Sequence, residues 1–227
     1  MSEDSEKKTI PTYSFSQIRY EDLNNLVDIK RKFDKSIFDD WFKNETVLDD
    51  KTVLFLEELL EREENYIKIY DEKNLITYFI APIINKVNFK VLGEIRGFYE
   101  GLINYKHKDF IFNGKADFVV SKGFRTLEKP LFFIQEFKKG TENTNPEPQL
   151  LAELISAIEL NNWTQIKGAY IVGSAWNFVI LKKIGKDKYQ FYVSDDFYSV
   201  HIEDLKKIYK NLLFVKKEII RENIETL

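Results

Sequence analysis

Asp117, in "GKADFVV", and the pair Glu136 and Lys138, in "LFFIQEFKKG", are the residues of this 227-residue chain whose types and spacing suit hydrolytic chemistry. Leu131 to Ile134 suit a buried strand, yet the segment runs without a turn into Gln-Glu-Phe-Lys-Lys. Alternate side chains of a strand share a face, so Glu136 and Lys138 point the same way. Asp117 lies 19 residues before Glu136, a spacing that suits adjacent strands joined by "SKGFRTLEK". Paired in the register that joins their charged ends, these strands bring Asp117, Glu136 and Lys138 to one patch. Two carboxylates about 4 Å apart repel by roughly 4 kcal/mol at an effective dielectric near 20, and a bound cation reverses that sign. With the carbonyl of Phe137, the two carboxylates suit Mg2+, or Mn2+ in its place, leaving positions for water and a substrate phosphate. The ion would polarise a phosphodiester and acidify a water, while Lys138 orients that water or balances charge on the pentavalent species. The plain alternative is an ion pair on an edge strand, contributing about 0.2–1 kcal/mol, with Asp117 closing a turn.

These residues need elements to carry them. Short runs rich in Ile, Phe, Tyr and Val predict strands at about 92–104, 108–112, 115–121 and 130–138. Asn113-Gly114 predicts a tight hairpin turn just before Asp117, since both residues tolerate positive φ. "PEPQLLAELISAIELNN" predicts a helix with Pro148 in its first turn. Strands resume in "KGAYIVGS", "NFVILKKI" and "KYQFYVSD", where Trp176 and Phe178 belong to the core. A helix from about Ile202 to Asn223 closes the chain, its stripe of Leu205, Ile208, Leu212 and Val215 turned inward. Upstream, "DDKTVLFLEELLEREENYIKIY" and "DEKNLITYFIAPIINKV" predict amphipathic helices, the second bent or divided by Pro82. That order predicts an α/β, mixed α+β fold: a central mixed β-sheet flanked by α-helices. The expected divisions are a disordered tail over 1–12, a helical N-terminal extension over 13–64 and a principal domain over 65–227.

Composition narrows the chemistry. There is no Cys, so disulfides and thiolate chemistry are excluded, and two His are too few for an imidazole-rich metal site. Any metal must use oxygen ligands. A net charge of −3 argues against a strongly basic nucleic-acid binder but leaves room for a local basic patch. Lys115, Lys122, Arg125 and Lys139 flank the candidate site and would supply one. No apolar run approaches the length of a membrane span and no signal segment follows "MSEDSEKK", so a cytoplasmic protein without a membrane partner is expected.

A strand with Asp, a strand with Glu-x-Lys, a helix carrying Gln, and then "GAYIVGSAWNFVILKK" resemble the PD-(D/E)XK nuclease superfamily over about residues 65–195. Within it the chain is similar to the amino-terminal nuclease domains of type I restriction motor subunits and their small standalone relatives. The resemblance implies a restriction-endonuclease-like sheet, a divalent metal held by Asp117 and Glu136, and Lys138 at the catalytic water. It matches Glu72 to the acidic residue of the first core helix and Gln149 to the Gln of the following helix. Ala116 stands where the family motif has proline. The function implied is a Mg2+-dependent nuclease acting on DNA. The alternative is an inactive nuclease-fold module that binds nucleic acid or serves as an adaptor. DNA against RNA, and pairing of two copies as a homodimer, are left open.

Overall fold

A computed structural model describes residues 10–140 and 145–224; the tail expected over 1–12 lies mostly outside the described residues. The described elements are β1 (Thr12–Ser14), α1 (Tyr20–Leu26), β2 (Asp28–Lys32), α2 (Asp39–Phe42), α3 (Asp50–Glu63), α4 (Glu72–Leu75) and α5 (Ala81–Val87). They continue with β3 (Ile95–Lys106), β4 (Ile111–Lys122), β5 (Glu128–Lys138), α6 (Glu147–Asn161) and β6 (Gln165–Val172). β7 (Ala175–Gly185), β8 (Lys188–Val193), β9 (Phe197–Tyr198) and α7 (Ile202–Ile224) complete the order. The fold is mixed α/β: the strands form one sheet in the order β1-β4-β5-β6-β7-β8-β2, with β3 added to β4 and β9 to β7. β5 and β6 run parallel, joined by the α6 crossover, while β4 and β5 run antiparallel. No helix among the described residues is long and apolar enough to cross a membrane.

Helices cover both faces. On one, α3, α5 and α7 bury Leu59, Ile83, Leu205, Ile208, Leu212 and Val215 against Phe118, Phe133, Phe137 and Phe178. On the other, α6 lays Leu150, Leu151, Leu154, Ile155 and Ile158 on Val119, Ile134 and Val179. Gly168 lets it come close: a Cβ there would lie 2.9 Å from the Ile134 carbonyl oxygen and 3.0 Å from a Leu154 methyl.

Two expectations need correction. Residues 13–64 are not a purely helical extension, because β1 pairs with β4 and β2 with β8. Trp41 in that stretch is buried and donates to the Asn211 carbonyl at 2.9 Å. The stretch is a sheet-completing part of the domain. Secondly, Asn113-Gly114 is no turn. β4 passes straight through it, and the chain reverses at His107–Phe110, where the His107 N–H donates to the Phe110 carbonyl at 2.9 Å. Gly114 serves close approach instead, since a Cβ there would lie 2.8 Å from the Phe15 ring. The segment that Pro82 was expected to bend or divide is in fact divided: α4 and α5 are joined by a π-helical turn, Ile76–Ile80, ahead of Pro82. Pro82 has no N–H to give and its ring crowds the preceding turn, so the helix widens there without stopping.

Candidate active site

β4 and β5 pair through Val120↔Phe133, Val119↔Ile134 and Phe118↔Gln135, and the ladder stops there. The next step in that register sets Asp117 against Glu136. Alternation in β4 changes at this point: Phe112 and Ala116 join the core beneath α6, whereas Phe118 and Val120 join the opposite one. Across from the change, Glu100 of β3 takes φ of 51°. Asp117 occupies the kink, and its carboxylate reaches between the strands to accept the Phe137 N–H at 2.7 Å. An extended residue presents its N–H and C=O to the same edge, so the Phe137 carbonyl also faces the Asp117 side. The Lys138 carbonyl is turned the other way and accepts from the Gly173 N–H at 2.9 Å.

Glu136 is fully buried, and one of its oxygens accepts from the Lys138 ammonium. The same ammonium lies 4.0 Å from Asp117. The other Glu136 oxygen is buried without a hydrogen-bond partner. Burial pushes the Glu136 carboxyl up to about 8, helped by the charge of Asp117 and opposed by Lys138. Lys138 is held above its ordinary value: burial works against its charge, but Glu136, Asp117 and Glu72 together outweigh it. It stays an ammonium at neutral pH.

In a parallel crossover the N-terminal turns of the helix sit beside the carboxyl end of the preceding strand. α6 therefore delivers Gln149 and Glu153, one turn apart, to the level of Glu136. Gln149 donates to Glu153 at 3.2 Å, and the second Glu153 oxygen is buried without a partner. Burial, and then the charge of Glu136, raise Glu153 well above the usual carboxylate range. Glu153 was missed in the sequence reading, although its setting signals it: a Glu within "LLAELISAI", a run too apolar on every face to lie at a surface. Tyr170, the β6 neighbour of Glu136, donates to buried Glu147 at 3.2 Å on the same face and was missed too.

The expected site residues thus divide. Asp117, Glu136 and Lys138 converge, with the Phe137 carbonyl at their edge. Gln149 reaches Glu153 beside them. Glu72 begins α4, and its charge reaches Lys138. Among the basic residues, exposed Lys139 follows directly on the site, and Lys115 is tied to Glu100 at 2.8 Å beside the kink. Lys122 and Arg125 do not join them. Five residues of strand, roughly 17 Å, separate Lys122 from Asp117, and Lys122 instead lines a cleft of about 700 Å³ with Phe132, Trp163 and Lys167. Arg125 is exposed in the loop beyond.

Among the described residues no group of three or more His, Asp or Glu is placed to hold a metal ion. The acidic donors on hand are the two carboxylates, with Glu153 behind them. No protein-family model matches the chain, and no curated protein sequence matches it. A solved structure described as "Crystal structure of SSO0001" aligns with a TM-score of 0.30 and 12% sequence identity, over 66% of this chain and 80% of that one.

Proposed function

We propose that the chain is a metal-dependent nuclease of the PD-(D/E)XK type that hydrolyses phosphodiester bonds of DNA, with Mg2+ as its ion and Mn2+ as a substitute. The observation that carries this reading is the meeting of Asp117, Glu136 and Lys138 at the end of the β4–β5 ladder. The donor set fits a hard cation. Glu136 keeps a buried oxygen with no partner, Asp117 is part-exposed and open to solvent, and the Phe137 carbonyl faces the same gap. Mg2+ is commonly held by one or two carboxylates and completed by water and substrate phosphate, so a two-carboxylate set suits it better than a closed cage would.

Asp117 and Glu136 would hold the ion, which when bound supplies positive charge against phosphate oxygens and raises the acidity of nearby water. The chain's own groups do the rest. Lys138, kept cationic by its carboxylate neighbours, stands at the rim to orient an attacking water and to offset charge growing on the phosphate. The Phe137 N–H fixes the Asp117 carboxylate, so one oxygen is aimed before any ligand arrives. Gln149 binds one oxygen of Glu153 behind the pair, and one Glu136 oxygen is left without a partner.

The test is to incubate the protein with supercoiled, linear duplex and single-stranded DNA in Mg2+ and in Mn2+. Cleavage should occur and should fall by on the order of 10³-fold or more in Asp117→Ala, since several kcal/mol of charge stabilisation is removed. Equal behaviour of the wild type and the variant on every substrate would sink the reading. Binding without cutting in either ion would leave an adaptor module in its place.

A further inference from the structure

A polar line that starts one strand over from Glu136 leads toward solvent. Glu136 pairs in register with Tyr170 one strand over. The Tyr170 hydroxyl donates to Glu147 at 3.2 Å, and the same Glu147 oxygen lies 3.6 Å from the Arg31 guanidinium. Glu147 is buried, its other oxygen has no partner, and Arg31 is 42% exposed. Arg31 lies at the end of β2, two residues beyond buried Ile29 on the face that α6 covers. Its guanidinium sits 5.6 Å over the ring of Phe33, which is 79% exposed.

A lone exposed Phe signifies nothing. Here the ring is capped by a guanidinium that lies 3.6 Å from a buried carboxylate, too far for a hydrogen bond, so its donors remain available. The segment "IKRKF" is also a local reversal of the chain's net charge of −3. Lys30 pairs with Asp28 at 3.4 Å, and Lys32 is exposed. Lys30 and Lys32 alternate onto the other face of β2, so the pair that remains is an exposed guanidinium over an exposed aromatic ring, a combination that suits an unpaired nucleotide: the cation meets a phosphate and the ring stacks on a base.

We propose that Arg31 and Phe33 form a subsite for single-stranded DNA at the β2 edge of the sheet, four strands from Glu136, Arg31 binding a backbone phosphate and Phe33 an unpaired base. Glu147 and Tyr170 act as positioning residues that hold the guanidinium. The subsite rests on the nuclease reading only in treating the bound strand as a substrate; as a binding site it stands alone.

Fluorescence anisotropy with a labelled oligothymidylate of about 20 nucleotides and a duplex of equal length, in EDTA so that nothing is cut, tests it. Arg31→Ala should weaken single-strand binding by about 10-fold and lower the slope of log K against log salt by roughly 0.7, the share of one phosphate contact. Phe33→Ala should weaken it by about 5- to 100-fold and leave the slope unchanged. The duplex should bind less tightly and ignore Phe33→Ala. If Arg31→Ala lowers the melting temperature but moves neither affinity nor slope, the guanidinium is only a tie between β2 and α6 and the subsite is wrong. Failure of the wild type to bind at low salt, or indifference to Phe33→Ala, overturns it as well. Cleavage assays in Mg2+ separate the two readings. Wild type that cuts while both variants bind and cut normally refutes the subsite alone. Variants that lose binding while wild type never cuts uphold the subsite and refute the nuclease.

Discussion

Glu136 and Lys138 show how one short contact serves two ends. A buried carboxylate without a cationic neighbour is costly, and removing the cation from such a pair leaves the charge stranded. Glu136 answers by holding its proton more tightly, to about 8. Lys138 is therefore a structural partner of Glu136 as well as the cation at the rim. Lys138→Met should abolish cleavage while sparing divalent-ion binding, because the carboxylates remain. Isothermal titration with Mn2+ beside a gel assay would detect that split, and equal loss of both would assign Lys138 to ion binding instead. Glu-x-Lys was readable as a pair because strand alternation fixes its geometry locally. Glu153 was harder to place, since the Glu136 carboxyl it lies near is on another element.

At the level of the elements, α6 and the kink in β4 make the site. α6 approaches the sheet over Gly168, whose missing Cβ leaves room for Leu154. Gly168→Ala should cost about 1–3 kcal/mol by overpacking, read by urea denaturation, and should also weaken divalent-ion binding because Gln149 and Glu153 ride on α6. Leu212→Ala, buried on the other side of the sheet, should cost about 2–5 kcal/mol and leave ion affinity unchanged. A loss of affinity in both variants would mean that global stability, and not the seat of α6, governs the site. Most of the central strands, α6 and α7 were legible from apolar period, whereas the turn signal at Asn113-Gly114 misplaced a reversal inside β4. The two short N-terminal strands were not, because each is held by a partner far along the chain: Thr12 by Ile111, and Asp28 by Lys188.

Across the whole molecule, the buried carboxyls set how stability depends on pH. Glu136 rises from 4.5 to about 8 and Glu147 from 4.5 to about 7, burial being the main cause for both. The folded chain therefore holds protons that the unfolded chain has released across this range. Their stabilising contribution is complete below pH of about 4.5 and is lost as pH rises through about 8. The metal-free protein should be less stable near pH 8 than near pH 5, by on the order of a few kcal/mol, and so melt at lower temperature there, and Glu136→Gln should flatten the upper part of that slope. Added Mg2+ should stabilise more at the alkaline end, where Glu136 is free to ligate, contributing about 2.7 kcal/mol at a hundredfold excess over its dissociation constant. Differential scanning fluorimetry across pH, with and without Mg2+, measures both trends. A Mg2+ shift that persists in Asp117→Ala would place the ion elsewhere.

The residue types for a carboxylate pincer, the helix that follows it and the exclusion of thiolate chemistry were legible along the chain, because strand alternation, helical period and composition are local properties. The kink that turns Asp117 toward Phe137, the approach of Glu153 to Glu136 and the line from Tyr170 to Arg31 came from the fold alone. Each joins residues on different strands or helices, and which strands become neighbours is decided by burial of apolar surface over the whole sheet.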